Sequence, residues 1–281
     1  MEIQPECPSC VALQLMRTIQ HRNLANWRPV MAGTLVSTAG LWESADNPGV
    51  IIGQMYHHVN RLTDCRDPYR DQRRVANQLA ELYWQGHSVA LEDLQRRLLY
   101  ATAGNIIDAG LNANPEESFS QLDQAIGQNF DRNDSHQFFD MLPAPASLLY
   151  ITDNSGEAVF DREVVRSLIQ RGYRITLMVR GNPFLNDMTR VEAEDLGFSE
   201  LVDTIYDTGS ALSGFDPELL DFPTRQAIDR LDGWILKGIA NLEVQSHRPR
   251  SVPRLFLYRA KCPPTARLAA VPWNSNVAWL G

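Results

Sequence analysis

Long apolar runs are missing from this 281-residue chain. No stretch approaches the ~18 uninterrupted apolar residues of a membrane span, so no membrane partner is expected. The N-terminus, MEIQPECPSC, lacks a basic start and an apolar core, which argues against a secretory signal and for a cytoplasmic protein. Basic charge is also in deficit: 26 Lys and Arg stand against 34 Asp and Glu, a formal net charge of −8. Phosphate backbones require a basic footprint, so nucleic acid is not expected as the main partner. Cysteine is scarce. Cys7, Cys10, Cys65 and Cys262 are too few for a disulfide scaffold at this length. A closed zinc site needs four ligands, and beyond the CPSC pair only Cys65 and Cys262 remain, far off in sequence. A structural or incidental role is therefore expected for Cys7 and Cys10. The six histidines form no H-x-x-x-H or comparable pattern.

What remains is ordinary for a soluble globular protein: 44% hydrophobic and 21% charged residues. The length suffices for one large domain or two smaller ones. The first half reads as helical. RDQRRVANQLAELYWQG carries Val75, Leu79, Leu82 and Tyr83 at the spacing of one helix face, and LEDLQRRLLYATAGNIID continues in that style. Near residue 140 the texture changes. LPAPAS looks like a linker, and then strand-like runs (SLLYIT, YRITLMVRG, LVDTIYD, GWILKG, RLFLYRA) alternate with helix-like segments. Such alternation predicts a mostly parallel sheet covered by helices. The expected organisation is a helical domain over 1–140 and an α/β domain over 141–281.

In open α/β sheets the ligand crevice lies beyond the carboxyl ends of the strands. The first strand-like run ends in TDNSGE, with Asp153, Asn154 and Glu157. The next ends in NPFLND, with Asn186 and Asp187; a third in DTGSALSG; a fourth in KGIANLE, with Lys237, Asn241 and Glu243. Oxygen donors of this kind suit a hard divalent cation, which removes the repulsion among the acids and in turn holds a phosphate. Gly156, Gly209 and Gly238 allow backbone N–H groups to approach an anion, and Lys237 reads as the phosphate's point-charge partner. Each element has a plainer reading. Asp153 and Asn154 could cap the following helix, Asp187 could cap the next, and Lys237 could sit at a solvated strand end. The coincidence of four polar strand ends favours a site.

The segments TDNSGEAVFD, RGNPFLNDMTRVEAEDLG, DTGSALSG and KGIANLE resemble the metal-dependent damage-control phosphatases, and most closely their compact stand-alone archaeal and bacterial branch. CPSC, DPY at 67–69, GNIIDAG at 104–110 and the KC pair Lys261 and Cys262 extend the resemblance over most of the chain. It implies a helical domain packed on a Rossmann-like α/β/α sandwich. It also implies a divalent metal, Mn2+, Mg2+, Co2+ or Ni2+, held by Asp153, Asn154 and Asp187. Lys237 matches the family's phosphate-side lysine, and Asn105 and Asp108 match polar residues lent by the helical domain. Glu157, Asn186 and Asn241 are expected near the metal or substrate. The basic residue expected after DPY could be Arg70, Arg73 or Arg74.

The implied function is hydrolysis of small phosphorylated metabolites such as sugar phosphates. The nucleophile is either a water activated by the metal or Asp153 itself. A Rossmann-like carboxylate methyltransferase is a weaker alternative, because no G-x-G-x-x-G follows the first strand. A phosphometabolite-binding protein without turnover is another, because binding and catalysis use the same groups.

Overall fold

The computed structural model describes residues 1–106, 115–210, 212–249 and 251–281. Helices α1 (Cys7–His21), α2 (Trp27–Thr38), α3 (Leu41–Ser44), α4 (Pro48–Thr63), α5 (Arg70–His87), α6 (Leu94–Ala103) and α7 (Pro115–Gly127) come first. Strand β1 (Phe130–Asn133) and helix α8 (Ser135–Met141) follow, then β2 (Ser147–Ile151), α9 (Glu157–Gln170), β3 (Arg174–Val179), α10 (Arg190–Asp195) and β4 (Thr204–Asp207). The chain ends with α11 (Phe222–Ile228), β5 (Gly233–Lys237), α12 (Gly238–Gln245), β6 (Arg254–Arg259), α13 (Pro263–Ala269) and β7 (Asn276–Leu280). No described helix is long and apolar enough to cross a membrane.

The seven strands form one sheet in the order β1-β7-β6-β5-β2-β3-β4. Strands β2 to β6 run parallel, while β7 pairs antiparallel with β6 and parallel with β1. The central strands β5 and β6 are buried throughout, which explains why they read as continuous apolar runs. Alternate residues feed two layers. Leu148, Tyr150, Leu177, Ile235 and Leu257 pack with side chains of α5, α6, α7 and α9. Leu149, Ile151, Met178, Leu236 and Phe256 pack with Ile228, Leu242 and Ala266 on the other face. This is the expected α/β/α sandwich with a mostly parallel sheet. Helices α1, α2 and α4 share a separate small core around Val11, Leu15, Ile51, Met55 and Val59.

One expectation about α5 is corrected. The helix forms, but Val75 and Leu82 are 37% and 59% exposed, and the buried face carries Arg73, Ala76, Asn77, Ala80, Tyr83 and Trp84. Leu79 and Tyr83 do pack on the core as the spacing predicts, but the inner face also meets polar loops near the strand ends, so Val75 and Leu82 turn outward.

The order of the strands locates the crevice. After β2 the chain builds outward through β3 and β4, then returns to lay β5 on the other side of β2. The connections leaving β2 and β5 therefore part in opposite directions, and a crevice opens at their carboxyl ends.

Candidate active site

Residues 152–156 leave β2 at this crevice, and the loop 180–189 leaves β3 beside it. The two loops are stitched together by backbone: Ser155 N–H donates to Asn186 O at 2.8 Å and Met188 N–H to Asp153 O at 2.8 Å, with a bridge between Asn154 and Asp187. Neither acid is a helix cap. Helix α9 starts from Gly156, at φ 89°, without a side-chain cap, and α10 starts from a capping box of Thr189 and Glu192. The plainer readings of Asp153, Asn154 and Asp187 thus fail on geometry.

Asp153, Glu157 and Asp187 are buried, at 6%, 1% and 5% exposure. Asn105 Nδ2 donates to Asp153 Oδ2 at 3.2 Å and to Glu157 Oε1 at 2.6 Å. Asn154 Nδ2 donates to the same two oxygens at 2.9 and 3.1 Å, and its backbone N–H reaches Glu157 Oε1 at 3.0 Å. Asp187 is held by Arg180, whose Nε lies 2.8 Å from Oδ2 and whose Nη1 donates to Gly214 O. Gly238, at φ 76°, closes the floor beneath Asp153.

Lys237 is fully buried at the end of β5. Its three ammonium hydrogens meet three protein acceptors: Ala101 O at 2.8 Å, Glu157 Oε2 at 3.0 Å and Asp161 Oδ1 at 2.6 Å. Asp161 in turn accepts the Tyr150 hydroxyl at 2.8 Å. Asn241 staples the ends of β2 and β5, donating to Thr152 O and Lys237 O. Asn186 enters through its backbone carbonyl. Asp108 lies outside the described residues.

Several contributors were not read from the sequence. Arg180, Asp161 and Tyr150 sit inside segments that read as plain strand or helix. Among the three candidate arginines after DPY, Arg73 is the buried one, bonded to Asp67, Glu192 and Leu185 O behind the loop that carries Asp187. Asn77, beside it on α5, accepts the Gly156 N–H at 2.6 Å. Lysine occurs only twice in the chain, and both copies reach this site: Lys261 Nζ donates to Asn105 O at 2.7 Å. That scarcity was the available signal. An open groove of about 810 Å3 runs nearby between α5 and α10, but the acids do not line it.

The electrostatics are lopsided. Among the described residues Asp153, Glu157, Asp161 and Asp187 face two buried cations, Lys237 and Arg180, an excess of two carboxyl groups. Burial, and then repulsion by Glu157 and Asp187, holds the Asp153 carboxyl well above the usual carboxylate range. Burial likewise raises Asp187 against the pull of Arg180. Burial raises Asp161 to about 6, against Lys237. For Glu157 burial is outweighed by Lys237, the Asn154 N–H and Asn105, and its carboxyl falls below the usual range. A divalent cation beside Asp153 and Asp187 would offset this excess of carboxyl groups.

The sequence model of the damage-control phosphatase ARMT1-like domain matches residues 3–277. The chain belongs to that family. Relatives include a damage-control phosphatase of Archaeoglobus fulgidus, 26% identical over 99% of both chains. Another is the damage-control phosphatase PH1575 of Pyrococcus horikoshii, 25% identical over 99% of this chain and 97% of that one. The crystal structure of a DUF89 family protein (PH1575) from Pyrococcus horikoshii superposes with a TM-score of 0.86. It is 24% identical and covers 99% of this chain and 98% of its own. The membership supports phosphatase activity, and the shared fold agrees with the sandwich described above.

Proposed function

We propose that this protein is a metal-dependent phosphomonoester hydrolase acting on small phosphorylated metabolites, sugar phosphates above all. The observation that carries the reading is the excess of two buried carboxyl groups among Asp153, Glu157, Asp161 and Asp187, at the ends of β2 and β3 and on α9. An acidic chain gains nothing from such a cluster unless a cation joins it.

Asp153, Asp187 and the amide oxygen of Asn154 would hold the cation, one of Mn2+, Mg2+, Co2+ or Ni2+. When bound, it supplies charge neutralisation at a phosphate oxygen and polarises water. The chain's own residues do the positioning. Arg180 fixes Asp187, and Glu157 fixes Asn154 through two hydrogen bonds. Lys237 keeps Glu157 ionised and lends the site its positive field from below, rather than reaching the phosphate directly. Asn105 bridges Asp153 and Glu157 through its two amide N–H groups, is half-buried, and is anchored by Lys261, so its amide oxygen is suited to accept a hydrogen bond from a substrate hydroxyl. Asn186 is suited to the same task from the opposite loop. Hydrolysis on this scheme rests on electrostatics and positioning.

Release of inorganic phosphate from a panel of sugar phosphates and p-nitrophenyl phosphate tests the reading, run with each cation. Wild type should turn over only with metal, and Asp153→Ala and Asp187→Ala should each abolish turnover. Metal-independent turnover, or turnover that survives both substitutions, would overturn it.

A further inference from the structure

Helix α2 turns its polar side chains inward and its apolar ones outward. Its buried residues are Thr34 and Thr38, whose hydroxyls donate to the carbonyls four residues back, Val30 O and Thr34 O. They hide their polarity on the helix itself and leave an inner face that packs on α4, where Gly33 meets His58 and Leu62. Outward the helix shows Leu35 and Val36, 49% and 78% exposed, with Ala32 and Ala39 exposed beside them. Between Arg28 and Glu43 the chain holds no charged residue. A surface helix places charge where these residues stand, and a contiguous apolar patch in its stead marks an interaction face. The helical path does not stop at Thr38. Ala39 and Gly40 keep right-handed helical angles, so α3 prolongs α2 and carries Glu43 onward. At about 100° per residue, Arg28, Ala32, Leu35, Val36, Ala39 and Glu43 form one stripe opposite Thr34 and Thr38. Arg28 and Glu43 are exposed and take part in no ion pair among the described residues. The catalytic reading uses none of these groups.

We propose that this stripe is the two-fold interface of a homodimer, with α2 and α3 of each copy antiparallel to those of the other about an axis between Leu35 and Val36. The stripe is complementary to itself about that point. Antiparallel pairing there sets Leu35 against the partner's Val36, Ala32 against the partner's Ala39, and Arg28 against the partner's Glu43. The two-fold axis makes each of these contacts twice. Ala32 and Ala39 are small, so the two helices can approach closely. The apolar centre drives association, and the two ion pairs at its ends fix direction and register. A parallel pairing in register would instead set Arg28 against Arg28 and Glu43 against Glu43. At the Arg28 end the apolar surface continues into a groove of about 520 Å3 between α1 and α2, lined in part by Met16, Trp27 and Met31.

Sedimentation equilibrium of the purified protein reads the assembly without any assay of turnover. Wild type should give twice the chain mass of 31.7 kDa. Val36→Glu, at an exposed position, should give the monomer with an unchanged circular dichroism spectrum. The ion pairs give the register a test of its own. Arg28→Glu alone, or Glu43→Arg alone, sets like charges opposite each other at both ends. Exposed pairs are individually modest, so either change should raise the dimer Kd about tenfold. Both changes together exchange the charges and should restore the wild-type Kd. A wild type that stays monomeric at its highest soluble concentration would overturn the proposal, whether the face then takes a lipid vesicle or a different protein. A dimer that persists in Val36→Glu would overturn it, because the axis would lie elsewhere. So would a double exchange no tighter than the single ones, because the two charges would not meet.

Discussion

Gly238 lies so close to Asp153 that a β-carbon at position 238 would stand 1.9 Å from Asp153 Oδ2. Gly238 also has φ 76°, a left-handed conformation that favours glycine. The first residue of α12 is thus shaped to let a carboxylate rest on its backbone. Gly238→Ala must push Asp153 aside. The strained φ alone costs about 1–2 kcal/mol. A displacement of about 1 Å at a catalytic group lowers turnover by roughly a hundredfold. Phosphate release from folded Gly238→Ala, with fold checked by circular dichroism, should show a loss of that order. Wild-type turnover would contradict the close fit.

Lys237 balances Glu157 and Asp161 where no water reaches. Removing one partner of a buried ion pair costs about 3–5 kcal/mol, because the remaining charge is left uncompensated. Lys237→Met should therefore lower the urea midpoint strongly near neutral pH. The deficit should shrink as the solution is acidified and the two carboxyl groups take up protons. A midpoint equal to wild type would show that Lys237 is not their counter-ion.

The strands β2, β3, β5 and β6 were legible because burial makes them nearly continuous apolar runs, whereas β4, half-buried along its length at the sheet edge, was legible from its place in the alternation. β1 and β7 were not. β1 is FDRN, alternating half-buried and exposed, and it carries no apolar signature. β7 lies in a tail that pairs antiparallel, against the grain of the alternating pattern. At the site, Asp153, Asn154, Glu157, Asp187 and Lys237 were legible as polar strand ends, and the structure brings them together. The relation of Lys237 to Asp161 was not. Asp161 belongs to a helix facing the sheet, and a buried charge inside an amphipathic pattern looks like any surface charge until its partner is placed. Asn77 stayed hidden for the same reason, and Arg73 could be named only as one of three candidates until its partners Asp67 and Glu192 were placed.

The acid cluster sets a pH dependence for the metal-free protein. Asp153, Asp161 and Asp187 have raised folded pKa values, so each binds its proton more tightly when folded. Their contribution to stability is full below the ordinary carboxylate range. It is lost as pH rises through the folded values, which for Asp161 is about 6. Glu157, whose pKa is lowered, acts in the opposite sense, alone against three. Metal-free protein should therefore unfold at a lower temperature at about pH 8 than at about pH 5, and a divalent cation should restore stability chiefly at the higher pH. Thermal unfolding with and without Mn2+ across that range checks this. A cation effect independent of pH would contradict it.

The central claim is that the buried excess of carboxyl groups exists to hold a cation. A crystal structure grown with Mn2+, with anomalous scattering recorded at the manganese edge, tests it most directly. The account predicts an anomalous peak bonded to Asp153, Asn154 and Asp187, and its loss in Asp187→Ala. A manganese peak at another cluster, with these three residues unchanged and turnover intact, would contradict it.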